Sequence, residues 1–558
     1  LLWFSFYFLC DTLFYNFYFY TNYCFLVRKM LYFVWMLINR RFSKMEKYYI
    51  GFDAGTQSVK VAIYNLQLEC VAEQNYPTHL YYPKAGWVEM NVNEYLVAVK
   101  QGIKDCVEQM KQKDLDVSKV RAIFGDGIIC GIVGVNEEGE AITPYINYLD
   151  SRCQEDVENL SAQNLTIWAE ETGNAVPNCM FPAMIARWIL KNNLAFQKEG
   201  KKFMHNAPYV LSHLAGLNSK DAFIDWGTMS GWGLGFEIYN KEWSDKQLEI
   251  LEIKREYMPK IVKPWKIIGS LTKEIAEFTG LPEGVSICAG AGDTMQSMLG
   301  CGLIDKNMAA DVAGTCAMFC VSTDGIKPEL STPESGLIFN SGTLENTYFY
   351  WGFIRTGGLA LRWYRDNLCK QEGVDEYFDI LSQEAEKIPV GSNGVLFLPY
   401  LTGGNTECVN ACGCFLNMTM DTNQATLWKS VLEAIGYDYI GVTDTYRKAG
   451  VNLDQITITE GGSRSELWNQ IKSDMLDAKV KTLQKAGGAL ITNILTAAYA
   501  VGDISNLKEA LTSLLKIKKV YSPSEKNTKY YRNIYTLRKD LIQNKMQKTF
   551  EILKEIRE

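Results

Sequence analysis

The chain has 558 residues, 47% hydrophobic and 22% charged, a composition that fits folded globular lobes and excludes a disordered polypeptide. At about 100–200 residues per domain this length divides into two to four units, two large lobes being the economical division. A net charge of -7 leaves no basic footprint for nucleic acid, and fifteen scattered cysteines, an odd number, read as the thiols of a reducing cytoplasm rather than a disulfide framework.

Residues 1–44 are dominated by Phe, Tyr, Leu and Trp. Two apolar runs flank Arg28-Lys29, the layout of a membrane anchor, but Asp11, Asn16, Asn22 and Lys29 interrupt them, and a spanning helix needs about 20 mostly apolar residues. Met45 opens "MEKYYIGFDAGTQ", one short strand before the first motif. Residues 1–44 are therefore read as an extension outside the native protein, and no membrane partner is expected if Met45 is the start.

From Tyr48, "YYIGFD", "VKVAIYN" and "CVAEQNYP" are short, rich in Val, Ile and Tyr, and predict strands joined by turns. "NEYLVAVKQGIKDCVEQMKQK" follows, with Leu96, Val97, Val99, Ile103 and Val107 mainly at helical spacing. "VRAIFGDG" then reads as a buried strand, and the mixture predicts an α/β lobe with a hairpin built in.

The first turn carries chemistry that a plain hairpin does not need. Gly55 lets the backbone approach a ligand, its amides and the Thr56 hydroxyl can donate to phosphate oxygens, and Gln57 continues the turn. Asp53, at the end of the preceding strand, cannot usefully face a phosphate directly, but it can hold Mg, which takes oxygen ligands and keeps several waters. Near mid-chain, "NMAADVAGTCAMFCVST" echoes this pattern with Asp311, Gly314 and Thr315. Either copy alone is equally an ordinary hairpin with a capping Asp; two copies on two lobes favour a clamp on a nucleoside triphosphate.

Between the copies, "SICAGAGDTMQSMLGCG" ends an apolar strand at Asp293 and enters a helix. Asp293 can cap that helix, or serve as a base for a hydroxyl that attacks a phosphoryl group, or do both. Beyond the second copy, "RTGGLALRWYRDNL" and "TITEGGSRSELWNQIKSDML" each place Gly-Gly at the entrance of an amphipathic helix. The chain from Ser522 onward is a charged helix expected to lie solvated on the surface. No G-x-x-x-x-G-K-[ST] sequence is present, which excludes a P-loop, and no G-x-G-x-x-G follows the first strand.

Taken together, these motifs resemble the FGGY carbohydrate kinases. "GFDAGTQSVKVAIYN" is similar to the family's first phosphate motif, "AGWVEMNVNEY" to its Gly-Trp-x-Glu segment, and "INYLDSR" to its Trp-x-Asp-x-Arg segment, with Tyr148 in place of Trp. "GAGDTMQ" resembles the catalytic-base motif, "VAGTCA" the second phosphate motif, "GGLALRWYRD" a nucleotide-side helix and "EGGSRSELWNQIKSDML" the adenosine motif. Seven motifs stand in the family's order from about Lys47 to beyond Tyr530.

The resemblance implies two actin-like, ribonuclease-H-like α/β lobes with a nucleotide cleft between them. Residues 45–302 form the N-terminal lobe with the sugar site and base, residues 303–520 the ATP-binding C-terminal lobe, and residues 521–558 the charged helix. It implies Asp293 as the base and Asp53 as the acid that organises Mg. Gly55, Thr56, Gln57, Gly314 and Thr315 fall at the phosphates, Gly358, Gly461 and Gly462 on the adenosine side. Ile129, Cys130, Asp150, Arg152, Asp293 and Thr294 fall at the sugar, with Trp87 and Glu89 either packing or forming a platform.

The implied activity is ATP-dependent phosphorylation of a sugar hydroxyl in the cytoplasm, by lobes that close over the substrates. A homodimer is compatible with the family. Xylulose leads among the sugars, with ribulose, a polyol, gluconate or a deoxy-sugar as alternatives. Xylulose kinases of the family carry Gly-Gln-Met-His-Gly where this chain has "GDGIICG", so Ile128, Ile129 and Cys130 replace groups that bind a hydroxyl. A competing reading is an actin-like ATPase that transfers no phosphoryl group to sugar.

Overall fold

The computed structural model of the chain describes residues 46–314, 317–354, 357–404, 408–484 and 488–557. The extension at residues 1–44 and Thr315 lie outside these residues. Among the described residues, no helix is long and apolar enough to cross a membrane.

The first lobe is built on a hairpin of β1 (Tyr48–Ala54) and β2 (Ser58–Asn65), extended by β3 (Cys70–Pro77). Helix α1 (Val92–Gln112) starts where the Asn91 side chain accepts the Asn93 N–H, and it buries Val99, Ile103 and Val107 against the sheet. Val97, expected inward, is 66% exposed, because it falls one position off that stripe. Strand β4 (Val120–Gly127) runs parallel to β1 and is apolar on both faces, as a strand covered by helices on both sides must be.

Helix α2 (Asn206–Leu214) and α1 cover one face of this sheet. Strands β5 (Ile267–Ser270) and β6 (Ser286–Cys288) complete the order β5-β6-β4-β1-β2-β3. Short β7 (Ala291–Gly292) also pairs with β4 and delivers helix α3 (Asp293–Gly300).

The second lobe repeats the plan. Strands β8 (Ala309–Ala313) and β9 (Ala317–Thr323) form its hairpin, β10 (Ile338–Ser341) and β11 (Tyr348–Ile354) follow, and helix α4 (Gly357–Trp363) leaves β11. After helix α5 (Gln424–Lys448) comes β12 (Gln455–Thr459), parallel to β8 as β4 is to β1. Helix α6 (Glu466–Leu476) and β13 (Lys479–Leu483) follow. With β14 (Ile517–Tyr521) the order is β10-β11-β9-β8-β12-β13-β14. The short sequence echo is therefore a repeat of topology, with β10 as the added strand.

Two features depart from a simple division near residue 302. Helix α7 (Ala489–Ala500), far into the second half of the sequence, returns to cover the other face of the first sheet, where Ile494 and Ala497 join Tyr49 and Phe124 in one core. Gly51 of β1 permits this approach, since a Cβ there would lie 3.3 Å from the Ile494 side chain. Conversely, Trp232 and Phe236 of the first half share a core with Phe319 and Trp428 of the second. Asn174 fastens this contact by donating to the Phe339 carbonyl and accepting the Phe339 N–H.

The C-terminal helix α8 (Glu525–Asp540) is anchored rather than solvated throughout. Tyr531 is buried and donates to Glu433 at 2.8 Å, and buried Arg538 pairs with Asp438 at 3.1 Å. The run of charges in the sequence hides these two inward positions.

Asp311, the echo of Asp53, has a different fate. It is fully buried, accepts the Tyr439 hydroxyl at 2.6 Å and pairs with Lys472 of α6 at 2.5 Å. The pair ties β8 to α6. Breaking a buried pair from one side costs about 3–5 kcal/mol, because the other charge is left without a counterion. Lys472→Met should lower the thermal unfolding midpoint accordingly, and Asp311→Asn in the same chain should recover part of the loss.

Candidate active site

The turn after β1 is pinned from beneath. The Gly55 N–H donates to the Ser58 carbonyl at 3.1 Å, the Tyr95 hydroxyl to the Gly55 carbonyl at 3.1 Å, and the Thr78 hydroxyl to the Thr56 carbonyl at 2.6 Å. A Cβ on Gly55 would stand 3.2 Å from the Ser58 carbonyl. With the backbone fixed below, the Thr56 side chain is half-buried and Gln57 is exposed at the turn. Asp53 keeps part of its carboxylate accessible, with the Lys60 ammonium 3.5 Å away.

Strand β4 gathers the acids. Its register sets Asp126 beside Asp53, and β7 pairs Ala291 with Asp126 and Gly292 with Gly127, so α3 opens with Asp293 next to both. Asp126 is fully buried, and one carboxylate oxygen accepts the Asn493 amide at 2.8 Å. Burial, then the charges of Asp53 and Asp293, push Asp126 well above the usual carboxylate range.

Asp293 is surrounded by protein yet keeps part of its surface open. Burial first, and the Asp53 charge second, raise it to about 7, against hydrogen bonds from Thr294 and from the Ile129 N–H. An acid held near neutrality beside a tight Gly-Thr turn is equipped to take a proton from a hydroxyl while that turn holds phosphate.

The expected sugar-side residues separate into two sets. Asp293 and Thr294 are half-buried at the strand end, whereas Ile129 and Cys130 are only 5% and 4% exposed and contribute mainly through backbone. The Ile129 carbonyl accepts from His205 at 3.1 Å, and the Cys130 thiol donates to the Gly231 carbonyl at 3.7 Å. Asp150 and Arg152 are closed in the wall. The Arg152 guanidinium bonds Asp150 at 2.7 Å and Glu89 at 2.8 Å and lies 3.8 Å from the Trp87 ring, while Asp150 also accepts the Val88 N–H at 2.6 Å. The Gly-Trp-x-Glu and Asp-x-Arg segments thus meet as one matched charge cluster, with Trp87 packed between Arg152 and Trp188.

On the second lobe, Gly314, Gly358, Gly461 and Gly462 line one cleft of about 620 Å³. The Gly358 N–H donates to the Gly314 carbonyl at 2.9 Å, which closes the two loops together. Glu460, at φ 62°, turns the chain sharply into Gly461 and Gly462. A Cβ on Gly462 would come 2.4 Å from Ala313 Cβ and 2.9 Å from Trp468, so bare backbone forms this wall. Phe378 and Trp428 stack at 5.8 Å and also line the cleft, which suits a flat base.

Sequence reasoning missed Asp126, Asn493, His205 and Asn206. Asp126 lies inside a stretch read only for its apolar neighbours, although an acid in a buried strand was itself a signal. Asn493 was legible only as a polar residue in the apolar run "ITNILTAAYA".

The profile of the FGGY family of carbohydrate kinases, N-terminal domain, matches residues 48–300, and that of the C-terminal domain matches residues 309–501. A xylulose kinase from Staphylococcus epidermidis is 24% identical over 513 residues, covering 90% of this chain and 98% of its own. A gluconokinase from Bacillus subtilis is 25% identical over 504 residues, covering 88% and 94%. Among solved structures, gluconate kinase from Lactobacillus acidophilus superposes with a TM-score of 0.78 at 24% identity, over 91% of this chain and 100% of its own. Xylulose kinase from Rhodospirillum rubrum gives 0.79 at 22% identity, over 90% and 100%.

The glycine wall makes a binding prediction. Gly462→Val leaves no room for its side chain against Ala313 and Trp468, and it should weaken binding of MgADP at least tenfold, measured by calorimetric titration, with the fold retained by circular dichroism.

Proposed function

Because the chain belongs to the FGGY family of carbohydrate kinases and is an ATP-dependent sugar kinase, we propose that it phosphorylates an uncharged sugar, with a ketopentose such as xylulose the leading acceptor. The observation that carries this reading is Asp293, set by β4 beside the Asp53-to-Gln57 turn with its carboxyl displaced toward neutrality. Family membership displaces the ATPase that transfers nothing to sugar.

In the proposed reaction the acceptor hydroxyl lies at Asp293, which takes its proton as the oxygen attacks the γ-phosphoryl group. ATP spans the lobes, its base in the cleft walled by Gly358, Gly461 and Gly462. Its phosphates are held by the Thr56 hydroxyl and the amides of Thr56 and Gln57, with Gly55 allowing close approach, and on the second lobe by Gly314 and Thr315. Asp53 suits Mg, since its hard oxygens stay partly accessible beside the turn. Bound there through water, Mg would neutralise phosphate charge. Asp293 and Thr294 face the acceptor, Ile129 and Cys130 supply backbone and an apolar edge, and Asp150 and Arg152 brace the wall. The enzyme works in the cytoplasm on this reading.

Charge favours a neutral acceptor over gluconate. Arg152 is already countered by Asp150 and Glu89, and burial keeps His205 neutral, its pKa lowered to about 3.

With MgATP and a panel of xylulose, ribulose, glycerol, a deoxy-sugar and gluconate, ADP release should be stimulated most by a neutral member. Asp293→Asn should cut that turnover by about 10²–10⁴. Turnover that no sugar stimulates and that survives the substitution would sink this proposal. The base must be ionised to act, so kcat/KM for the acceptor should fall as pH drops through an apparent pKa displaced from about 4 toward 7, and be flat above it.

A further inference from the structure

The start of α2 presents a residue that breaks a local rule. His205 occupies the position before the helix, where Ser, Asp or Asn would bond the first free N–H groups, and it makes no such bond. Its imidazole turns instead to the end of β4. Nε2 donates to the Ile129 carbonyl at 3.1 Å, and Ile129 in turn packs on Gly292, the residue before Asp293, where a Cβ would come 2.2 Å from Ile129 Cγ2; its backbone N–H lies close enough to lower the proton affinity of Asp293. His205 is 1% exposed, and its Nδ1 has no partner among the described residues.

The next residue does the same for the other motif. Asn206 is fully buried; its amide donates to the Ala54 carbonyl at 2.7 Å, between Asp53 and Gly55, and the Tyr95 hydroxyl donates to the Gly55 carbonyl next to it. Asn206 backs directly on β4: a Cβ at Gly127 would come 2.5 Å from its side-chain oxygen. One dipeptide, some 150 residues from the first turn in sequence, thus touches the strand end that carries each half of the chemistry.

We infer that His205 and Asn206 are positioning residues that hold the base Asp293 and the phosphate turn at Gly55 in register, His205 acting through the Ile129 peptide and Asn206 through the Ala54 carbonyl. The inference rests on the proposed role of Asp293. His205 touches neither substrate. It fixes the Ile129 peptide that lies against the base beside the Thr294 N–H, so its loss acts on the chemical step more than on acceptor binding.

The test separates positioning from folding. His205→Asn supplies a good helix N-cap but is too short to reach Ile129, whereas His205→Gln keeps an N–H donor at comparable reach. Full-length variants are assayed with MgATP and the most active sugar of the panel, xylulose first, beside Asp293→Asn. We expect His205→Asn to unfold no earlier than the parent yet to lose at least thirtyfold in kcat with acceptor KM changed less than threefold, and His205→Gln to recover most of the loss. Asn206→Ser should lower kcat by a similar split. Parental kcat in His205→Asn, or equal losses in the Asn and Gln variants, would overturn the inference. Parental turnover in Asp293→Asn would overturn the base assignment itself, and the inference with it.

Discussion

The parallel pairing of β1 with β4 is the constraint on which the site depends. Parallel strands do not slide: a shift of one residue would turn every side chain to the opposite face and force Ile50, Phe52 and Ile123 out of the core under α1 and α2 into the one that Tyr49 and Phe124 fill with α7. The register that satisfies the core also sets Asp53 against Asp126 and, through β7, brings in Asp293. Acids so close repel one another when ionised, and the fold tolerates them because helix α7 offers Asn493 to Asp126 and because the Asp53 side of the group stays open to the cleft. The displaced proton affinity of Asp293 is thus a consequence of sheet packing.

The second lobe uses the same topology for a different task. There the corresponding acid, Asp311, is sealed by Lys472 and Tyr439, and glycine backbone forms the cleft wall: Gly314, Gly358, Gly461 and Gly462 bring main chain to its surface. A duplicated fold has separated its functions by which residue faces the central acid. The shared core that joins Trp232 to Trp428 confines any relative movement of the lobes to a hinge about a packed, apolar flank.

Much of this was legible in the sequence. The strands at Tyr48, Ser58 and Val120, the long helix after Asn91 and the repeat around Asp311 follow from periodicity and turn residues, and the four glycines that the motifs single out line one cleft of the second lobe. The parts that escaped are long-range. That Arg152 would be closed by Asp150 and Glu89 depends on two loops meeting. That Tyr531 and Arg538 would face inward depends on Glu433 and Asp438 waiting on another helix. No local pattern encodes His205 as a partner of Ile129, since its only local signal is a poor helix cap.

The return of α7 to the first sheet carries a consequence for biosynthesis. Strands β1 to β6 emerge from the ribosome long before residues 489–500, yet one face of their sheet, with Tyr49, Phe124 and the Asp126 carboxylate, has no cover until those residues arrive. The first lobe therefore cannot finish folding as an N-terminal unit while the second is being made, as successive domains usually do. It waits as an exposed apolar surface, a natural client for chaperones, until residues 489–500 have been made. No product that stops short of residue 489 can carry an assembled site, because the segment that seals the acidic floor is still missing from it.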